Sequence, residues 1–105
     1  MRDLLPLVGA IPVDERVVED RNRITGAGVT SGIDLGLVIS SRMRDNAFAE
    51  KQQLLNEYDP HPPFHSGTPK MAAPQVTADI QNMPAGSHEA ARQAALAAQK
   101  RLGLA

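Results

Sequence analysis

The sequence predicts a small α/β piece made of a short β-hairpin, several helices and a Pro-rich arm. Three observations carry this reading. Arg16-Val17-Val18-Glu19 and Arg23-Ile24-Thr25 are short β-favouring runs on either side of the turn-forming Asp20-Arg21-Asn22. Leu35, Val38, Ile39 and Met43 recur at helical spacing after Ser31-Gly32-Ile33-Asp34. Prolines at 60, 62, 63 and 69 push the residues before them towards extended backbone.

The N-terminal stretch 2–8 (RDLLPLV) reads as the last turns of a helix, with Gly9 at its end because glycine accepts positive φ without a Cβ clash. Its short length implies that further chain belongs before it. The hairpin is expected over about 16–25, with Asp20 and Asn22 tolerating the left-handed backbone of the turn. Gly26-Ala27-Gly28-Val29-Thr30 is a small-residue bend. Ser31 to Asp34 then has a capping-box form, in which Ser31 caps a backbone N–H and Asp34 reaches back. A helix is expected over about 31–44. It is apolar nearly all round until Ser40, the pattern of a helix buried against something large. Asp45 or Asn46 caps a second helix over about 46–57, with Phe48, Gln52 and Leu55 on one side. The Pro-rich arm covers 58–70.

From Pro74 the chain turns helical again, with Val76 and Ile80 as a weak stripe and a break at Pro84-Ala85-Gly86. Ser87 caps a last helix that runs to about Leu102. Glu89 early and Lys100-Arg101 late suit the helix dipole, and Ala91, Ala95, Ala98 and Leu102 make a shallow apolar face.

Composition bounds the function. At 105 residues the chain has room for one small domain or a piece of a larger one. Apolar residues make up 42%, charged residues 22%, and the formal net charge is −1. That balance fits neither a disordered chain nor a fibre, and it lacks the basic excess of a nucleic-acid binder. With one tyrosine, two phenylalanines and no tryptophan, small and aliphatic side chains must fill the core. There is no cysteine, which removes disulfides, thiolate metal sites and a thiol nucleophile. Leu4 to Val13 is uncharged, but Pro6 and Pro12 interrupt it and Asp14-Glu15 follow where a signal peptide would have its cleavage site. No run approaches the ~18 apolar residues of a membrane span. The expectation is a cytoplasmic protein with neither a membrane nor a nucleic-acid partner.

Histidines at 61, 65 and 88 have no third ligand at metal-binding spacing, so they read as solvated side chains and no metal site is expected. No serine sits in a G-x-S-x-G elbow. The best functional candidate is the bend Gly26 to Gly32. A strand that ends in small residues before a helix presents free N–H groups, which can bind an anion or stabilise developing negative charge. The phosphate-loop and dinucleotide patterns are both absent. On spacing alone, the glycines serve either a functional role or close helix–strand packing.

The run Ile24-Thr25-Gly26-Ala27-Gly28-Val29-Thr30-Ser31-Gly32-Ile33-Asp34-Leu35-Gly36-Leu37, with Arg16 to Asp20 before it, resembles the C-terminal half of ThiJ/PfpI superfamily proteins. The second signature, Gln53 to Pro69 with its Tyr58-Asp59-Pro60-His61-Pro62-Pro63-Phe64 core, resembles the isocyanide hydratase branch in particular. Together the two motifs cover residues 9–70. The resemblance implies the C-terminal part of a flavodoxin-like, class I glutamine-amidotransferase-like α/β fold. Residues 1–70 would belong to that domain, and 71–105 would form a helical C-terminal extension.

The resemblance also implies a lyase chemistry, the addition of water to an isocyanide to give an N-substituted formamide. That family uses a cysteine on a strand-to-helix elbow, with an acidic residue nearby, both in the N-terminal half. Neither catalytic residue is therefore expected in this chain, and no cofactor is implied. What the resemblance places here is the pocket wall: Gly28, Thr30, Gly32 and Ile33, whose backbone N–H groups would stabilise a thiolate or an intermediate. The arm, including Tyr58 and Phe64, would wrap a partner subunit or cover the pocket, since family members are typically dimers. The chain alone would be inactive, and either partly unfolded or self-associating as a homodimer. Two alternatives stay open. One is a ligand-binding or structural fragment from an AraC-type transcriptional regulator. The other is a subunit complementing a separate N-terminal half.

Overall fold

The computed structural model describes residues 2–83 and 86–104. Two compact units are distinguished, Val13–His61 and Met1–Pro12 with Pro62–Ala105. The break expected at Pro84-Ala85 lies outside the described residues.

In the first unit, β1 (Val17–Asp20) and β2 (Arg23–Gly26) form the hairpin, antiparallel, in the register Val17↔Gly26, Val18↔Thr25, Glu19↔Ile24 and Asp20↔Arg23. The loop is Arg21-Asn22, and Arg21 takes the positive φ of 55° that the sequence assigns to Asp20 or Asn22. The reason is geometric: a two-residue hairpin loop needs φ > 0 at its first position so that its twist matches the strands. Val17, Val18 and Ile24 are half-buried against helix α1 (Ser31–Met43), which packs on both strands. Glu19 and Arg42 form a two-pronged ion pair, at 3.0 and 2.9 Å, between β1 and the last turn of α1.

Asp45 is extended and caps α2 (Asn46–Leu55), its Oδ1 accepting from Phe48 N at 2.7 Å. The Arg44 guanidinium lies 4.7 Å from the Phe48 ring centre. Helix α2 packs on α1 through buried Ala49; Phe48 and Gln52 are half-buried and Leu55 is 77% exposed. The helix stops at Leu55, short of 57, because Glu57 turns left-handed at φ 48°. Tyr58 N then donates to Gln53 O at 3.1 Å and Glu57 N to Leu54 O at 3.0 Å. These two bonds make a Schellman ending on a residue other than glycine.

Helix α1 is covered on one side only. Asp34, Leu35, Leu37, Val38 and Ser41 are half-buried, while Ile33 is 50% and Met43 78% exposed. Among the described residues of this unit, the apolar face that carries Ile33 and Met43 has no cover.

In the second unit, Arg2–Val8 form a 3-10 helix with Pro6 inside it. Gly9, at φ 76°, ends it through Gly9 N to Pro6 O and Ala10 N to Leu5 O, both at 3.1 Å. Helix α3 (Pro74–Gln81) starts with proline at its first position, where the missing N–H is not needed. Its half-buried residues are Thr77 and Ala78, not the exposed Val76 and Ile80. Helix α4 (Gly86–Leu102) already includes Ser87, which therefore lies inside the first turn and is not its cap. Gly103, at φ 68°, closes it by the same motif as Gly9. The α4 helix packs on the 3-10 helix, burying Leu4. Ala91, Ala95 and Ala98 are half-buried, and Leu102 is exposed. His88 Nε2 lies 3.2 Å from Asp3. Asp59 to Met71 are all exposed, so the Pro-rich arm makes little contact along its length.

Two glycines respond oppositely to substitution. A Cβ on Gly26 would stand 2.7 Å from Ser31 Oγ, which is held 2.6 Å from the Gly28 carbonyl. Gly26→Ala should therefore destabilise the fold by about 1–2 kcal/mol, the scale of a buried hydrogen bond disturbed. A Cβ on Gly36 meets nothing within 4 Å, so Gly36→Ala should stabilise α1 by about 1 kcal/mol through helix propensity. Urea titrations followed by far-UV circular dichroism should show midpoints moving in opposite directions.

Candidate functional site

The bend between β2 and α1 is built from backbone hydrogen bonds and two side chains. Ala27 N donates to Arg16 O at 3.0 Å, extending the hairpin ladder by one step. Ser31 N donates to Gly28 O at 2.9 Å, Gly32 N to Val29 O at 3.2 Å and Ile33 N to Thr30 O at 3.4 Å. These are tight one-turn bonds of the kind that satisfy a helix start. The N–H groups of Gly28, Val29 and Thr30 have no acceptor among the described residues.

The capping box does not form. Thr30 occupies the cap position, with helical backbone angles and no side-chain cap bond. Ser31 lies inside the helix, 1% exposed, and its hydroxyl donates backwards to Gly28 O. Asp34 does not reach back to the backbone, because two stronger partners take its carboxylate. Arg16 Nε donates to Oδ2, and the Tyr58 hydroxyl donates to Oδ1 at 2.7 Å. Arg16 also donates through Nη2 to Thr30 Oγ1 at 3.3 Å. The Tyr58 hydrogen bond, then that of Arg16, lowers the Asp34 carboxyl below its usual range. Asp34, then Tyr58, raises Arg16 further.

A cleft of about 400 Å³ opens beside the bend. Gly32, Ile33, Gly36 and Leu37 of α1 line one side, and Gln52, Gln53 and Asn56 of α2 with Tyr58 line another. Of the four residues expected in a pocket wall, two line this cleft and two lie in the bend beside it. Gly32 and Ile33 face the cleft. Gly28 and Thr30 lie in the bend, where the Gly28 carbonyl accepts from Ser31 and the Thr30 hydroxyl accepts from Arg16. The two uses of the glycines separate. Gly26 is needed for close helix–strand packing, whereas a Cβ at Gly28, Gly32 or Gly36 meets nothing within 4 Å.

Sequence reasoning missed the Arg16–Asp34–Tyr58 cluster. Its partners lie 18 and 24 residues apart, and no local pattern announces such a pair. It also missed Glu19 with Arg42, 23 residues apart. His61 Nδ1 is 2.9 Å from the Asp59 carbonyl, and His88 faces Asp3. Among the described residues no three histidine or carboxylate side chains converge as a metal site would require. No helix among them is long and apolar enough to cross a membrane.

The Asp34 cluster has a pH consequence. An aspartate ionises near 3.9 in an unfolded chain, and Asp34 ionises lower in the folded one. Its contribution to stability is complete above about pH 5 and is lost as pH falls through the lowered value. Thermal melts between about pH 2.5 and 7 should show Asp34→Asn less stable than the parent at neutral pH, with the gap closing in acid. A gap that does not change with pH would contradict the assignment.

No family model matches the chain. It is 45% identical over 85 residues to an isonitrile hydratase from Pseudomonas putida, an alignment covering 81% of this chain and 37% of that protein. The crystal structure of a ThiJ/PfpI family protein from Pseudomonas syringae superposes with a TM-score of 0.76 at 47% identity, covering 93% of this chain and 39% of that one. The chain thus spans less than two fifths of the length of either relative. The motifs at 24–37 and 53–69, the 45% identity and the shared α/β architecture converge: the chain belongs to the ThiJ/PfpI superfamily, in its isocyanide hydratase branch, and forms part of that flavodoxin-like fold.

Proposed function

We propose that this chain is part of an isocyanide hydratase-like protein and supplies one wall of its reaction pocket. The observation that carries the reading is the 45% identity to an isonitrile hydratase over 81% of the chain. The reaction adds water across the terminal carbon of R–N≡C to give R–NH–CHO. Carbon gains the oxygen and a hydrogen, nitrogen gains the other hydrogen, and no oxidant or reductant is needed. The family resemblance assigns the attack to a cysteine, and these 105 residues hold none. The thiol would come from outside this sequence, and the chain's role is to shape and polarise the space beside it.

Two features support that role. The N–H groups of Gly28, Val29 and Thr30 have no acceptor among the described residues, and preorganised donors of this kind stabilise charge that develops during reaction. Gly32 and Gly36 occupy helix positions where alanine would fit, at a cost of about 1 kcal/mol each in helix propensity. Among the described residues, nothing within 4 Å of a Cβ at these two positions accounts for glycine there. Glycine keeps the α1 surface open to approach by another surface or a substrate. By the same reading the exposed Ile33, Ile39 and Met43 are covered when the rest of the domain is present. Alone, the chain associates with itself through them. Dimerisation of the whole protein and a cytoplasmic location belong to the same proposal.

The purified chain incubated with a simple alkyl isocyanide should form no formamide above the buffer rate, read by loss of the isocyanide stretch in the infrared. Co-expression with the portion of the Pseudomonas putida relative that this chain does not match should give turnover, and changing to serine the nucleophilic cysteine that the family resemblance assigns to that portion should abolish it. Turnover by the chain alone would overturn the reading, as would a complemented pair that assembles and stays inactive.

A further inference from the structure

Asp34 lies one turn into α1, where three separate stretches of chain meet. Its Oδ2 holds Arg16, just ahead of β1, and its Oδ1 holds the Tyr58 hydroxyl at the root of the Pro-rich arm. Arg16 in turn touches both ends of the bend. Its carbonyl accepts from Ala27 N at 3.0 Å, and its Nη2 donates to Thr30 Oγ1 at 3.3 Å.

We infer that Asp34 is a positioning residue for the glycine-rich bend: through Arg16 it fixes Ala27 and Thr30, and through Tyr58 it fixes where the arm leaves α2. The functional meaning rests on the reading that the bend walls the pocket; the clamp itself does not. An ionised carboxylate suits the task because each oxygen accepts from a different direction. A neutral amide offers one acceptor and one donor, so its NH₂ must face either the guanidinium or the phenol hydroxyl. The bond to Arg16 is charge-assisted on both sides and is the stronger kind. An acidic residue serving only the helix dipole would behave differently, because its loss weakens the helix start without singling out residue 58.

Amide hydrogen exchange on the 105-residue chain separates the two roles. Asp34→Asn should speed exchange about tenfold at Ala27 and Ser31 in the bend and also at residue 58, the scale of one lost charge-assisted hydrogen bond. Arg16→Gln should speed Ala27 more than residue 58, and Tyr58→Phe should speed residue 58 more than Ala27.

Tyr58 is the single tyrosine and there is no tryptophan, so its emission provides a second readout. A phenol bonded to a carboxylate is quenched because the excited hydroxyl gives up its proton, and Asp34→Asn should raise that emission. Uniform acceleration across the Val13–His61 unit, or unchanged exchange at residue 58 in Asp34→Asn, would overturn the proposal. If Asp34→Asn does not fold, the Arg16 and Tyr58 variants decide: separated effects support the clamp, and identical effects refute it. None of these readouts uses an isocyanide, so they report on Asp34 whichever way the hydratase assay falls.

Discussion

The close approach of α1 to the end of β2 is the constraint on which the Val13–His61 unit depends. Gly26 leaves the space that Ser31 fills, and Ser31 is 1% exposed. Burying a hydroxyl is costly unless it is hydrogen-bonded. Ser31 meets that condition locally, on the Gly28 carbonyl. With the helix start fixed in this way, Asp34 stands three residues on, within reach of Arg16 and Tyr58. The hairpin, the bend, the first helix and the root of the arm are thereby tied at one seam.

Away from that seam the stabilising terms are small. Leu4 and Ala49 are the buried apolar residues among those described, while Val29 is 99% exposed. Hydrophobic burial is the dominant favourable term in folding, so a core this thin leaves much to helix endings and to the hairpin. The Glu19–Arg42 pair is well formed, but its side chains are 43% and 65% exposed, and exposed ion pairs contribute little. A chain spanning 37% of its curated relative has this balance when much of its apolar surface is meant for neighbours. That is the physical content of the pocket-wall proposal.

The same surface explains why the glycines differ in kind. Gly9 and Gly103 are required by their own backbone, at φ 76° and 68°. Gly26 is required by a neighbour inside the chain. Gly28, Gly32 and Gly36 are required by neither. A sequence motif rich in glycine thus mixes a packing requirement at one position with open surface at others, and only coordinates separate the two.

Element type and order were legible in the sequence because local forces set them. β-Branched runs around Arg21-Asn22 made the hairpin, 3.6-residue periodicity made α1, Asp45 capped α2, and the proline-rich run stayed free of helix and strand. The isocyanide hydratase resemblance was legible for a different reason, since the motifs at 24–37 and 53–69 are contiguous. The capping box shows where local reading stops. Ser31 and Asp34 have the right spacing, yet Asp34 bonds to residues 18 and 24 positions away. Glu57 shows it again, taking a left-handed turn that glycine would normally occupy. The sequence by itself determined which segments are strand, helix and arm, because those choices depend on neighbours along the chain. Only the tertiary structure decided what Ser31, Asp34 and the glycines do, because their partners are brought near by folding and not by spacing.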